Sequence, residues 1–176
     1  MKPEIVRYVW PLLVVCGLLL SSPPAIAYEA SVARVIDGDT IHLSNGEKVR
    51  YIGINAPELH HPRRGKEPYG EAAKEANRCL VEGKTVRLEF DVQLRDKHKR
   101  LLAYVYVEGE MVNRALVRDG YAQVATYPPN VRHQDEFLKL QREAREQGRG
   151  FWGDEESRKP PKPCESGVVG PEARRP

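Results

Sequence analysis

The sequence predicts an α+β domain, a small closed barrel of five β-strands with three helices packed on its ends. The length of 176 residues favours a single compact domain with its own apolar core. Five segments alternate apolar and polar residues as strands do, and three segments repeat apolar residues at helical spacing. Their order is three strands, one helix, two strands and two helices. Three leading antiparallel strands joined by short turns curl readily, which favours a barrel.

The first three strands form a meander. Residues 28–36 alternate like a strand, and residues 37–39 form a turn. The second strand covers residues 40–43 and is followed by an Asn45-Gly46 pair, which is typical of a tight hairpin. The third strand is predicted over residues 48–54.

The remaining elements follow from the same periodic patterns. A helix is predicted over residues 71–82, because Ala72, Ala76, Cys79 and Leu80 fall on one helical face. Two strands, a short helix, an extended stretch and a last helix follow, over residues 85–90, 101–107, 112–116, 121–127 and 133–147.

The two ends lie outside the predicted barrel domain, which covers residues 28–153. Residues 1–27 combine a basic start, a short apolar stretch and a small-residue cleavage pattern. We expect a signal peptide cleaved after Ala27, with no stable membrane insertion afterwards; an uncleaved anchor is the alternative. Residues 154–176 are rich in proline, glycine and charge and are predicted to be disordered. The mature chain is expected to be an exported monomer, periplasmic or secreted.

The cysteines are consistent with export. Cys79 and Cys164 would remain after cleavage, and an oxidising compartment would permit a disulfide between them. Cys79 also has a helical core spacing, so a buried free thiol is the alternative. Neither cysteine has the spacing of a zinc site.

The net charge of the chain is +3, which is mildly basic. Such a charge does not repel an anionic substrate, but alone it is weak support for nucleic-acid binding. Residues 59–68 lack periodicity and contain Arg63 and Arg64, so we expect a mobile cationic loop there.

Oxygen-bearing groups follow two of the predicted strands and could hold a hard cation. Asp37 and Asp39 carry carboxylates, Asn55 carries an amide oxygen, and Ala56 offers its main-chain carbonyl. Ca²⁺ takes several oxygen ligands of these kinds, and water or a substrate phosphate can complete the set. An Asp-Gly turn is also common in hairpins, so a purely structural role is the alternative for the two aspartates.

Two arginines and a glutamate suit the cleavage of a phosphodiester. Strand alternation puts Arg50 on one face with Ile52 and Ile54, where its charge needs an anion. Arg100 begins the most strand-like segment and poses the same choice between a phosphate and a structural carboxylate. Glu58 could orient a water molecule or take its proton, and the alternative is a surface glutamate.

Several motifs, in this order, closely resemble the staphylococcal nuclease (thermonuclease) family. The similarity covers roughly residues 31–153. The matching motifs are Ile36-Asp37-Gly38-Asp39-Thr40, Arg50 through Pro57-Glu58, His61-Pro62-Arg63-Arg64-Gly65, Tyr69-Gly70, Asp96 through Tyr104, Met111-Val112-Asn113, Ala115-Leu116-Val117-Arg118 and Trp152.

The resemblance implies an oligonucleotide-binding (OB) type of barrel. It also implies a Ca²⁺-dependent endonuclease that hydrolyses phosphodiester bonds of DNA and RNA with little sequence specificity and leaves 3′-phosphates. Carried over by motif, the expected roles fall into three groups: catalytic residues Arg50, Glu58 and Arg100; metal ligands Asp39, Asn55 and Ala56; and nucleic-acid contacts Arg63, Arg64, Lys97, His98 and Tyr127.

Three positions depart from the family pattern. Asn55 stands where an aspartate is usual, so one oxygen ligand is kept while one negative charge is lost, and weaker Ca²⁺ binding is expected. Ala56 replaces a threonine, and His98 replaces a tyrosine of the staphylococcal type. The alternative function is an OB-barrel module that binds nucleic acid with weak or no catalysis, but such a module has no reason to keep Glu58 together with both arginines.

Overall fold

The computed structural model describes residues 28–58 and 69–154. These residues contain eight strands and three α-helices, followed by a short 3-10 helix at Gly150–Trp152. The strands are β1 Tyr28–Asp37, β2 Thr40–Leu43, β3 Lys48–Tyr51, β4 Ile54–Asn55, β5 Thr85–Glu89, β6 Leu101–Val107, β7 Glu110–Met111 and β8 Gln123–Val124. The helices are α1 Gly70–Val81, α2 Val112–Arg118 and α3 Gln134–Glu146.

Five of the strands close into a barrel, which confirms the predicted α+β fold of a five-stranded OB-type barrel with three helices. Strands β1, β2 and β3 form the predicted antiparallel meander, and β5 pairs antiparallel with both β1 and β6. Strands β3 and β6 pair in parallel, with Val49 opposite Leu101, and this contact closes the barrel. The short strands β7 and β8 pair with β6 and β4 respectively.

Alternate strand positions supply the apolar core. Register shifts in β1 place both Val32 and Val35 inside, because the extra residues of a bulge change which side chains face inward. Phe137 of α3 is fully buried and belongs to the same core cluster as the barrel residues. The barrel and the helices therefore share one core, which fixes the helices relative to the strands.

The third strand is shorter than predicted. It ends at Tyr51, and a turn at Ile52 and Gly53 separates it from β4. Gly53 has φ 78°, and a β-carbon at this position would lie 2.9 Å from Phe137 Cε2, so both conformation and space require glycine. The alternation therefore stops at Tyr51, and the prediction that Arg50 shares a strand face with Ile54 is wrong.

Helix α1 occupies nearly the predicted range and buries a stripe that overlaps the predicted one. Ala72 and Ala76 are buried as predicted, and Val81 is buried too, whereas Cys79 is only partly buried. Cys79 is disulfide-bonded, so the alternative of a buried free thiol is wrong. Its partner cysteine lies outside the described residues.

Three predictions fall outside the described residues: the signal peptide of residues 1–27, the cationic loop of residues 59–68 and the disordered tail beyond Asp154. They stay predictions. Among the helices that the structure does describe, none has the length and apolar character needed to cross a membrane.

Candidate active site

An open cavity of about 660 Å³ lies against the outer face of β3 and β6. Every described residue that was predicted for the site lines this cavity, whereas Arg63 and Arg64 lie outside the described residues. Those that line the cavity are Asp39, Arg50, Asn55, Ala56, Glu58, Lys97, His98, Arg100 and Tyr127.

The turn between β1 and β2 places two carboxylates at the cavity. The Asp39 main-chain N–H donates to Asp37 Oδ1 at 3.0 Å, which fixes the turn locally. A β-carbon on Gly38 would lie 2.5 Å from Ala56 Cβ, so glycine lets the turn pack directly against the chain beyond β4. The buried Asn77 of α1 donates to the Asp37 carbonyl at 3.0 Å and holds the turn from behind.

Asp39 is the most buried carboxylate of the site. Its Oδ2 lies 3.0 Å from Arg50 Nη2 and accepts the Ala56 main-chain N–H at 2.7 Å, while Thr40 Oγ1 donates to Oδ1 at 3.1 Å. Burial raises the pKa of Asp39 to about 7; the charge of Arg50 opposes this shift, and the neighbouring charge of Asp37 adds to it. Burial therefore disfavours the negative form of Asp39 despite its ion pair with Arg50.

Arg50 has a structural role as well as a place at the cavity. Its Nη1 donates to the carbonyls of Tyr51 and Ile54 at 2.8 and 2.9 Å, and its Nη2 donates to Asn55 Oδ1 at 3.1 Å. With the ion pair to Asp39, one guanidinium connects the turn between β1 and β2 with β3 and β4 across the break in the third strand. The structural-carboxylate alternative considered for Arg50 is therefore present in this structure alongside the cavity-lining position.

Asn55 and Ala56 are held at the cavity by the pairing of β4 with β8, in which Asn55 lies opposite Gln123. The main-chain carbonyl of Ala56 is the group predicted to bind metal. The Ala56 main-chain N–H donates to Asp39 Oδ2, so the same segment also contacts the Asp39 carboxylate directly.

Arg100 is positioned by Asp96, which the sequence analysis treated only as part of a charged turn. Asp96 Oδ2 accepts from Arg100 Nε at 2.7 Å, and Oδ1 accepts the main-chain N–H groups of His98 and Arg100 at 2.9 and 3.0 Å. Partial burial would raise the pKa of Asp96, but these hydrogen bonds outweigh it and hold the pKa below its ordinary value. The contact uses only Nε, so both Nη groups of Arg100 lie outside it.

Gln93 and Asn130 also line the cavity, and the sequence predicted neither as a site residue. The buried Asn130 side chain accepts the Gln93 main-chain N–H at 2.7 Å and donates to the Gln93 carbonyl at 2.9 Å. This double contact ties the loop that carries Tyr127, which is 72% exposed, to the segment before the Asp96 turn. No periodic signal identifies Asn130, because its partner lies 37 residues away in the chain.

The donor set fits a hard cation with few protein ligands. Carboxylate oxygens of Asp37 and Asp39 and the amide oxygen of Asn55 line one cavity, and hard divalent cations take oxygen ligands of these kinds. No cluster of three or more His, Cys, Asp or Glu side chains suited to a metal occurs within residues 28–58 and 69–154. Main-chain oxygen, water and substrate would have to complete the coordination.

Comparison with known proteins gives one consistent group of matches. A family model described as staphylococcal nuclease homologue matches residues 48–154, more than half of the chain. The chain is 39% identical over 124 residues to a thermonuclease of Staphylococcus intermedius, an alignment that covers 69% of this chain and 74% of the relative.

Two relatives from Bacillus subtilis are longer than this chain. Endonuclease YncB is 44% identical over 124 residues, which cover 68% of this chain and 59% of the relative. The SPbeta prophage-derived endonuclease YokF is 41% identical over 129 residues, which cover 70% of this chain and 44% of the relative. The matched region thus spans about half the length of these two proteins.

Proposed function

Because the chain belongs to the staphylococcal nuclease homologue family, we propose that it is a metal-dependent endonuclease that hydrolyses phosphodiester bonds of DNA and RNA with little sequence specificity. The observation that carries the proposal is the convergence of Arg50, Glu58 and Arg100 with Asp39 and Asn55 on one open cavity. The relatives named thermonuclease and endonuclease support it.

The proposed reaction is attack of water on phosphorus. Glu58, exposed at the cavity, orients the water and takes its proton, while a bond forms from the water oxygen to phosphorus. The bond from phosphorus to the 5′-oxygen breaks, and the departing oxygen takes a proton from solvent, which leaves a 3′-phosphate and a 5′-hydroxyl. Arg100 donates both Nη groups to the phosphate and stabilises the added charge of the transition state.

Arg50 has a different task in the proposed reaction. Four of its hydrogen bonds in this structure are made inside the protein, and two of them use Nη2. Phosphate oxygens replace the acceptors of Nη2, so Arg50 both maintains the site and contacts the substrate. Tyr127 offers a ring to a base, and Lys97, His98, Arg63 and Arg64 supply contacts to the nucleic acid.

The proposed cofactor is Ca²⁺, held by Asp39, Asn55 and the main-chain carbonyl of Ala56. When bound, it supplies positive charge that neutralises a phosphoryl oxygen. The export of the chain and its monomeric state are proposed with the function, from the pattern of residues 1–27 and the compact size of the domain.

Replacing Asn55 by aspartate is expected to tighten Ca²⁺ binding. Asn55→Asp restores a negative ligand beside Asp39, and we expect the dissociation constant to fall by about 10-fold, or ~1.4 kcal/mol. Isothermal titration calorimetry with Ca²⁺ measures it. Gln147→Glu, which makes the same amide-to-carboxylate change on an exposed residue outside the cavity, is the control. An unchanged titration for Asn55→Asp would exclude Asn55 as a ligand.

The alternative function, a binding module with weak or no catalysis, is separated from the proposal by one assay. Purified mature protein is incubated with single-stranded DNA, duplex DNA and RNA, with Ca²⁺ or with a chelator, and product ends are identified by mass spectrometry. We expect cleavage of all three only with Ca²⁺, with 3′-phosphate ends. Folded protein that binds these nucleic acids and cleaves none of them would establish the alternative.

A further inference from the structure

A row of basic side chains crosses the outer surface of the barrel on strands β1, β2 and β3. Arg34 of β1 lies opposite His42 of β2, and His42 lies opposite Lys48 of β3. The neighbours Ile41 and Val49 are fully buried, so alternation directs the row outward. Arg34 and Lys48 are exposed and His42 is partly exposed.

Lys48 is the member of the row nearest in sequence to the residues that line the candidate active site. Val49 pairs with Leu101 in the parallel contact between β3 and β6, and Lys48 and Arg100 immediately precede these two residues in the chain. Lys48 also precedes Arg50 by two residues, which places both on the same face of β3. With adjacent strands ~4.8 Å apart, the row reaches about 10 Å from the backbone of β3 to that of β1.

No protein partner offsets the positive charge of this row within the described residues. Arg34, His42 and Lys48 form no ion pair or side-chain hydrogen bond there. The nearest acidic residue in sequence, Glu47, is held by Arg95 in an ion pair with a distance of 2.9 Å. The exposed charges of Arg34 and Lys48 are therefore available to a bound anion, and the imidazole of His42 lies between them.

We propose that the row formed by Arg34, His42 and Lys48 binds successive phosphates of a nucleic acid strand that extends out of the cavity. The inference rests on the proposed function for its substrate class. A linear row of basic groups on three neighbouring strands matches a chain of phosphates better than an isolated anion. The row gives the protein a preference for substrates longer than the nucleotides held in the cavity.

The test compares two double variants that remove the same charge. Arg34→Gln with Lys48→Gln removes the exposed ends of the row. Lys139→Gln with Arg142→Gln removes two charges from exposed positions of α3, which do not line the cavity. Fluorescence anisotropy measures the binding of fluorescein-labelled single-stranded DNA of about 12 and about 3 nucleotides over a range of salt concentrations.

The row variant is expected to bind the longer strand about 10-fold more weakly than the control variant, with a smaller loss for the shorter strand. Its plot of log affinity against log salt should be less steep by about 1.4, since each single-stranded phosphate contact contributes ~0.7. Arg34→Lys with Lys48→Arg keeps the charges and should bind the longer strand as the wild type does.

The possible failures are distinguishable. Equal affinity of the row and control variants for the longer strand would overturn the inference, whether or not the protein is a nuclease. Binding that depends on the row in a wild-type protein that cleaves nothing would support the inference and overturn the proposed activity.

Discussion

Glu58→Gln is expected to reduce the rate constant of cleavage by about 10²- to 10⁴-fold, the range typical for loss of a general base. The amide keeps the size of the side chain and can still contact water, but it cannot accept the proton. Glu58 is exposed at the cavity, so the substitution should leave the thermal stability and the binding of oligonucleotides nearly unchanged.

Single-turnover cleavage with saturating Ca²⁺ measures the chemical step for this variant, and fluorescence anisotropy measures its oligonucleotide binding. Glu146→Gln, at an exposed position at the end of α3, is the matched control and should cleave at the wild-type rate. Wild-type cleavage by Glu58→Gln would remove this residue from the mechanism, while the proposed hydrolysis itself would stand.

Arg50→Met is expected to lower the free energy of unfolding by about 3–5 kcal/mol, as is typical when one partner of a buried pair is removed. The side chains of Arg50 and Asp39 are only 14% and 7% exposed, so the substitution leaves a carboxylate buried without its cation. The carbonyls of Tyr51 and Ile54 also lose their donor. For a domain of this size the melting temperature should fall on the order of 10 °C.

Arg100→Met is the informative comparison. Arg100 is expected to contact the substrate as Arg50 does, but its pair with Asp96 is more exposed, at 29% and 17%, so its removal should cost only about 1 kcal/mol. Urea unfolding of both variants without metal tests the contrast, and Asp39→Asn in the Arg50→Met background should recover part of the lost stability. Equal unfolding free energies for the two arginine variants would show that Arg50 does not stabilise the fold through Asp39.

Local pattern was sufficient for most of the fold. The alternation in residues 101–107 predicted β6 with its observed bounds, and the three helices lie within two residues of the predicted ranges. These elements are well predicted because their side-chain periodicity follows from burial on one face or in alternate positions. The predicted end of the third strand is wrong. The strand stops before a turn whose Gly53 packs so closely against Phe137 that a β-carbon would not fit. Phe137 lies 84 positions later in the chain, so no local pattern records this contact.

The residues of the candidate site also divide into those that the sequence predicted and those that it did not. The motifs around Asp39, Asn55, Glu58 and Arg100 were identified from residue types and their resemblance to a family, and the structure brings them to one cavity. The residues that hold these side chains in position were not predicted. Asp96 and Asn130 act through hydrogen bonds to other segments, and each residue alone reads as an ordinary turn or loop residue.

The sequence by itself determined the fold class, the family and the chemical types of the site residues, because side-chain chemistry and short-range periodicity are written along the chain. Only the tertiary structure decided that β3 meets β6 in parallel and that Arg34, His42 and Lys48 lie side by side on neighbouring strands. It also decided that Arg50 donates its hydrogen bonds to Asp39, Asn55 and two carbonyls. Each of these depends on strand register between distant segments, which is set by closing the barrel around one core.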